Sequence, residues 1–93
     1  MPEMQFSIRW PDGARSLCYS PSLVIEEHLS VGTCYGLADF LARVRTALIE
    51  ASARVQRIYG MPCSLALDQL AQIEQRAGGF ASDTAVTVLE FRR

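Results

Sequence analysis

Met4, Phe6, Ile8 and Trp10 alternate with Gln5, Ser7 and Arg9, the period-two pattern of a strand with one face on a core. Pro11-Asp12-Gly13 follows. Pro suits an early turn position and Gly tolerates positive φ, so the chain reverses there. Arg15 to Tyr19 reads as the returning strand, with Leu17 and Tyr19 on one face and Ser16 and Cys18 on the other. Ser20 is a good N-cap and Pro21 fits a first helical turn, which predicts a short helix from about Pro21 to Leu29. Ser30 to Gly36 holds two glycines and little periodicity, the composition of a loop.

From Leu37 the period becomes helical. Leu37, Phe40, Leu41, Val44, Leu48, Ala51, Val55, Ile58 and Tyr59 lie within about 60° of one direction at roughly 100° per residue, which predicts the central core helix. Its far side carries Asp39, Arg43, Glu50, Arg54 and Arg57, with Asp39–Arg43 and Glu50–Arg54 spaced as i,i+4 ion pairs. Ala42, Ile49 and Ala53 form a narrow small-residue strip beside the main stripe, a surface for a second helix or a partner subunit. Gly60 is a natural left-handed stop, and Met61-Pro62 resists continuation. Ser64 caps a further helix to about Ala77, with Ala66, Leu70, Ile73 and Ala77 on its apolar face, and Gly78-Gly79 ends it. Thr84 to Phe91, β-branched and apolar, forms a last strand.

This order predicts one α+β domain over residues 1–93: a three-stranded antiparallel sheet with two main helices and one short helix on one face. The last strand returns beside the first, giving the order second, first, third, with Ile8 and Trp10 buried.

Composition narrows the function. The 93 residues are 49% hydrophobic and 20% charged, with a net charge of -1, values of a globular protein with no field to attract nucleic acid or anionic lipid. All nine basic residues are arginine, so no lysine Schiff base forms. No apolar run is long enough to span a bilayer, and the start lacks a basic segment followed by an apolar core. With three unpaired cysteines, the expectation is a cytoplasmic protein with reduced thiols. A chain this short buries a modest core, so a homodimer is expected.

Candidate chemistry is sparse. Cys18, Cys34, Cys63 and His28 stand apart, without the close ligand pairs zinc uses. Cys18 sits beside Tyr19 and Ser20 near a predicted helix start, where a thiolate is favoured, but the one histidine lies at the far end of that helix, roughly 10 Å away. Gly32 and Gly36 precede the long helix without a phosphate-loop pattern. Arg43, Arg54 and Arg57 share a face with Asp39 and Glu50, whose charges offset a phosphate-binding role. Glu26 and Glu27 are adjacent and diverge on a helix. No metal or cofactor is called for. The polar surface singled out for binding is Arg9, Cys18, Tyr19, Ser20 and Ser22, where the hairpin ends and the next helix starts.

Met1-Pro2-Glu3-Met4, Arg9-Trp10-Pro11-Asp12-Gly13, Cys18-Tyr19-Ser20-Pro21-Ser22, Leu37-Ala38-Asp39-Phe40, Ala51-Ser52-Ala53-Arg54-Val55 and Tyr59-Gly60, read together, make the chain resemble a family of small bacterial nitrogen starvation response proteins. The resemblance runs collinearly to about Ala77. It implies genes clustered with a nitrilase-type hydrolase, a radical SAM protein, an acetyltransferase and a flavoprotein, and assigns no catalytic residues. The expectation is a non-catalytic accessory or binding protein, partnered by itself and by enzymes of such a cluster. A thiol-dependent enzyme or carrier using Cys18 is the alternative, and a nucleic-acid-binding regulator the third.

Overall fold

The computed structural model describes residues 2–93; Met1, which opens the first quoted motif, lies outside the described residues. In chain order the elements are β1 (Met4–Arg9), β2 (Arg15–Ser20), α1 (Ile25–His28), β3 (Cys34–Gly36), α2 (Leu37–Tyr59), α3 (Ser64–Ala77) and β4 (Ala85–Arg92). The α+β class and the central position of β1 agree with the sequence pattern. The sheet, however, has four antiparallel strands in the order β2-β1-β4-β3 rather than three.

The additional strand is the segment read as a loop. Cys34, Tyr35 and Gly36 pair with Thr87, Val86 and Ala85, and Gly32 and Thr33 extend the ladder through Gly32 N–H to Val88 O at 2.8 Å and Val88 N–H to Thr33 O at 3.0 Å. Three residues are too few to display a period of two, so the strand exists through its partner rather than its own pattern.

The β1–β2 hairpin closes as the turn residues dictate. Gly13 takes φ 88°, Asp12 Oδ1 accepts the Ala14 N–H at 2.9 Å, and Trp10 N–H donates to Ala14 O at 2.8 Å. Met4, Phe6 and Ile8 in β1 and Trp10 just after it are all buried. Their cross-strand partners on β2 are Ser20, Cys18 and Ser16 for Met4, Phe6 and Ile8, so Cys18 faces the helices and Leu17 and Tyr19 face the open side of the sheet. The register with β4 shifts between Ser7 and Ile8. Leu89 is the extra residue, and this bulge lets both Val88 and Phe91 pack on the core although they differ in parity.

The short helix is displaced from its expected start. β2 continues through Ser20, whose Oγ donates to the Ser22 carbonyl at 2.8 Å. Ser22 Oγ then accepts the Val24 N–H at 3.3 Å, and α1 begins only at Ile25. The serines build a turn instead of a cap.

Helix α2 packs Leu37, Phe40, Val44, Ala47, Leu48 and Ala51 inward and stops at Gly60, which takes φ 81°. The turn into α3 is pinned by buried Ser52, whose Oγ accepts the Cys63 N–H at 3.1 Å. Cys63 rather than Ser64 occupies the N-cap position of α3, and Ala66, Leu70, Ile73 and Ala77 are buried as the pattern predicts.

The end of α2 departs from its sequence pattern. Ile58 and Tyr59 lie on its apolar stripe in sequence yet are 58% and 66% exposed. A 23-residue helix is about 34 Å long, whereas a six-residue strand spans roughly 20 Å. The last turns of α2 therefore overhang the sheet, consistent with a molecule 39 Å in its longest dimension and 18 Å in its shortest.

Candidate functional site

The five residues singled out from the sequence do not share one surface. Arg9 is exposed on the open face of the sheet. Cys18, Ser20 and Ser22 are buried: β2 turns Cys18 and Ser20 toward the helices, Ser22 lies in the turn that follows, and Cys18 contributes only to the wall of a groove. Burial pushes the Cys18 thiol up to about 12, the opposite of the shift a nucleophilic cysteine needs.

Tyr19 is half-buried. Its N–H donates to Gln69 Oε1 at 3.0 Å and its phenol donates to Glu3 Oε2 at 3.1 Å. Desolvation, then the Glu3 carboxylate, push the phenol up to about 12 as well.

Between the outer edge of β2 and α3 runs a groove of about 290 Å³. Trp10, Leu17, Cys18 and Ile73 form its apolar part, while Gln69, Gln72 and Arg76 project along it from α3 at positions one helical face repeats. Trp10 is held firmly there: its Nε1–H donates to Ser16 Oγ at 2.8 Å, Phe80 stacks on it at 5.6 Å, and Phe40 meets it edge-on at 6.2 Å. Arg76 lies over the same ring at 5.7 Å and 3.6 Å from Asp12. Its polar groups are amides, a hydroxyl and a guanidinium, which donate and accept hydrogen bonds.

The other sequence candidates separate in the same way. His28 pairs with Glu50 at 3.4 Å, Cys34 is exposed, and Cys63 is half-buried in the α2–α3 turn. Among the described residues, no three His, Cys, Asp or Glu side chains converge on a point that could hold a metal ion. The glycines ahead of α2 serve the backbone: Gly32 takes φ 80°, and the Leu37 N–H at the helix start already donates to Thr84 O at 2.9 Å. The arginine face is largely neutralised. Arg43 pairs with Asp39 at 3.1 Å, and Arg54 reaches Glu50 at 3.2 Å and Glu27 at 3.4 Å. No helix among the described residues is long and apolar enough to cross a membrane.

Sequence reasoning missed the tip of the α2–α3 hairpin. Ile58, Tyr59, Met61 and Leu65 are all exposed, Met61 to 71% and Leu65 to 62%, and they fall within eight consecutive positions on either side of Gly60. The available signal was the mismatch between helix and strand length, which leaves a helix end with no sheet beneath it. Of the expected partner strip, Ala42 and Ile49 are exposed and Ala53 is half-buried.

No curated protein and no solved structure matches the chain. The family described as nitrogen starvation-induced protein NitG matches residues 5–91, a span that includes every element of the fold except the last residue of β4 and the first of β1. The chain therefore belongs to the nitrogen starvation-induced NitG family.

Proposed function

We propose that the protein is a non-catalytic accessory factor of the nitrogen-starvation response, acting by holding another protein against the tip of its helical hairpin. One observation carries this reading: four large apolar side chains, Ile58, Tyr59, Met61 and Leu65, are each exposed within eight positions of the chain around the α2–α3 turn. Clusters of this kind on small globular proteins mark contact surfaces, because leaving them in water forgoes the free energy of burial. Support also comes from the state of Cys18, whose thiol is pushed up to about 12 by burial and is thereby disfavoured as a nucleophile. Enzymes encoded near the gene, of the nitrile- or nitrogen-related kinds that the sequence resemblance suggests, are the first partners to test.

The experiment compares three variants in a strain lacking the gene, under nitrogen starvation. Leu65→Glu abolishes complementation while circular dichroism stays native, and a photo-crosslinking residue at Tyr59 yields a discrete adduct with one protein. Cys18→Ser complements fully. Loss of function in a folded Cys18→Ser variant, with Leu65→Glu active, overturns the reading in favour of thiol chemistry.

A further inference from the structure

We propose that two copies of this chain join edge to edge through β2, in antiparallel register centred on Leu17, doubling the four-stranded sheet. The inference uses a surface separate from the hairpin tip and does not depend on the function proposed for it.

Strand β2 is an outermost strand of the sheet. Its even-numbered residues pair with β1: Ser16 with Ile8, Cys18 with Phe6, Ser20 with Met4. The Trp10 N–H to Ala14 O bond fixes these as the hydrogen-bonded pairs, so the N–H and C=O groups of Arg15, Leu17 and Tyr19 point away from the sheet. Tyr19 N–H meets Gln69 Oε1, while Arg15 and Leu17 have no neighbouring strand to meet. Natural edge strands are protected by shortness, proline, a bulge, charged side chains or a covering helix, and on β2 the charge is Arg15 and the cover is the Gln69 side chain of α3 at Tyr19. Within Arg15–Ser20 there is no proline and no lysine, and the bulge lies on the other side of β1. The opposite edge, β3, has only three residues and runs straight into α2. A sheet with a single pairable edge makes a closed two-fold dimer rather than a fibre.

The exposed side of β2 is complementary to itself in this register. A two-fold axis at Leu17 sets Leu17 against the partner's Leu17, and each is 50% exposed in the single chain. The same axis sets Arg15 against the partner's Tyr19, whose phenol holds the Glu3 carboxylate. Arg15 needs such a partner. Directly across from it on β1 is Arg9, and like charges in facing positions repel. Neither arginine, nor Glu3, forms an ion pair among the described residues. Pairing thus brings two unmatched cations to two unmatched carboxylates across the axis. An axis at Cys18 would instead oppose Arg15 to Pro21, which has no N–H to give. The Tyr19 N–H passes from Gln69 to the partner's Arg15 carbonyl, one hydrogen bond replacing another.

Sedimentation across a concentration series from micromolar to millimolar tests the proposal. The wild-type chain shifts from monomer to dimer mass. Arg15→Glu remains monomeric with an undiminished melting temperature, since it also replaces the Arg9–Arg15 repulsion by attraction. Adding Glu3→Arg to Arg15→Glu restores the dimer, and Leu17→Lys abolishes it. A wild-type chain that stays monomeric at millimolar concentration overturns the proposal, as does a dimer that persists in Arg15→Glu and Leu17→Lys, dissociates with Met61→Ser, or is not restored by the charge exchange.

Discussion

Gln69 on α3 accepts the Tyr19 N–H of β2 at 3.0 Å, joining residues fifty positions apart in the chain. A helix side chain here takes the place of a neighbouring strand and ties the outer edge of the sheet to the helical layer. Gln69→Ala removes one backbone-to-side-chain bond at a partly solvated site, so the expected loss is about 1 kcal/mol. Urea unfolding measures it. The Tyr19 amide should then exchange with solvent as fast as that of Leu17 in dilute solution, and an unchanged Tyr19 amide would remove this role for Gln69.

Much of this architecture is legible in the sequence because burial imposes a period. The alternation from Met4 to Trp10 names the core face of β1 residue by residue, and Gly60 marks the end of α2. What is not legible comes from elsewhere in the fold. β3 is held by its pairing with Thr87, Val86 and Ala85, long-range bonds that three residues cannot announce. The Ser20–Ser22 turn displaces α1 because a hydroxyl serves a turn as readily as a cap. At the candidate site, proximity in sequence misled: Cys18, Tyr19 and Ser20 are consecutive, but a strand sends neighbours to opposite faces, burying two and leaving the third at the open side.

Cys18 ties stability to alkaline pH. Its folded thiol is raised to about 12 from an ordinary value of 9.0, so above pH 9 the unfolded chain releases a proton that the folded chain keeps. Stability is therefore full below pH 9 and falls as pH rises toward 12, by as much as about 4 kcal/mol from this group. Tyr19, raised from 10.0 to about 12, acts in the same direction. Cys18→Ala should flatten the decline between pH 9 and 11 in denaturant titrations. At neutral pH, iodoacetamide should modify exposed Cys34 well before Cys18; rapid labelling of Cys18 in the folded chain would contradict its burial.

Leu48 and Ile58 occupy the same stripe of α2 in sequence but different environments. Leu48 is fully buried and Ile58 is 58% exposed. Leu48→Ala leaves a cavity and should lower stability by about 3 kcal/mol. Ile58→Ala, with nothing of the fold above it, should stay within about 0.5 kcal/mol. Equal losses in the two variants would mean that the helix end is covered, either by the chain itself or by a second copy.

Trp10, the single tryptophan, reports on the groove from inside. It is buried, sandwiched by the Phe80 stack and the Phe40 edge, with its N–H held by Ser16 Oγ at 2.8 Å. Phe80→Ala removes the stacked ring and opens the indole to the groove, so emission should shift to the red and stability should fall by about 2 kcal/mol, below the usual range for a fully buried Phe because Phe80 is only half-buried. Ser16→Ala takes the hydrogen-bond acceptor alone. Ser16 lies in the lining of the groove, where water can replace the lost hydroxyl, so the expected loss is about 1 kcal/mol or less with little change in emission. A larger loss in Ser16→Ala than in Phe80→Ala would show that the hydrogen bond, rather than the aromatic stack, holds Trp10 in place.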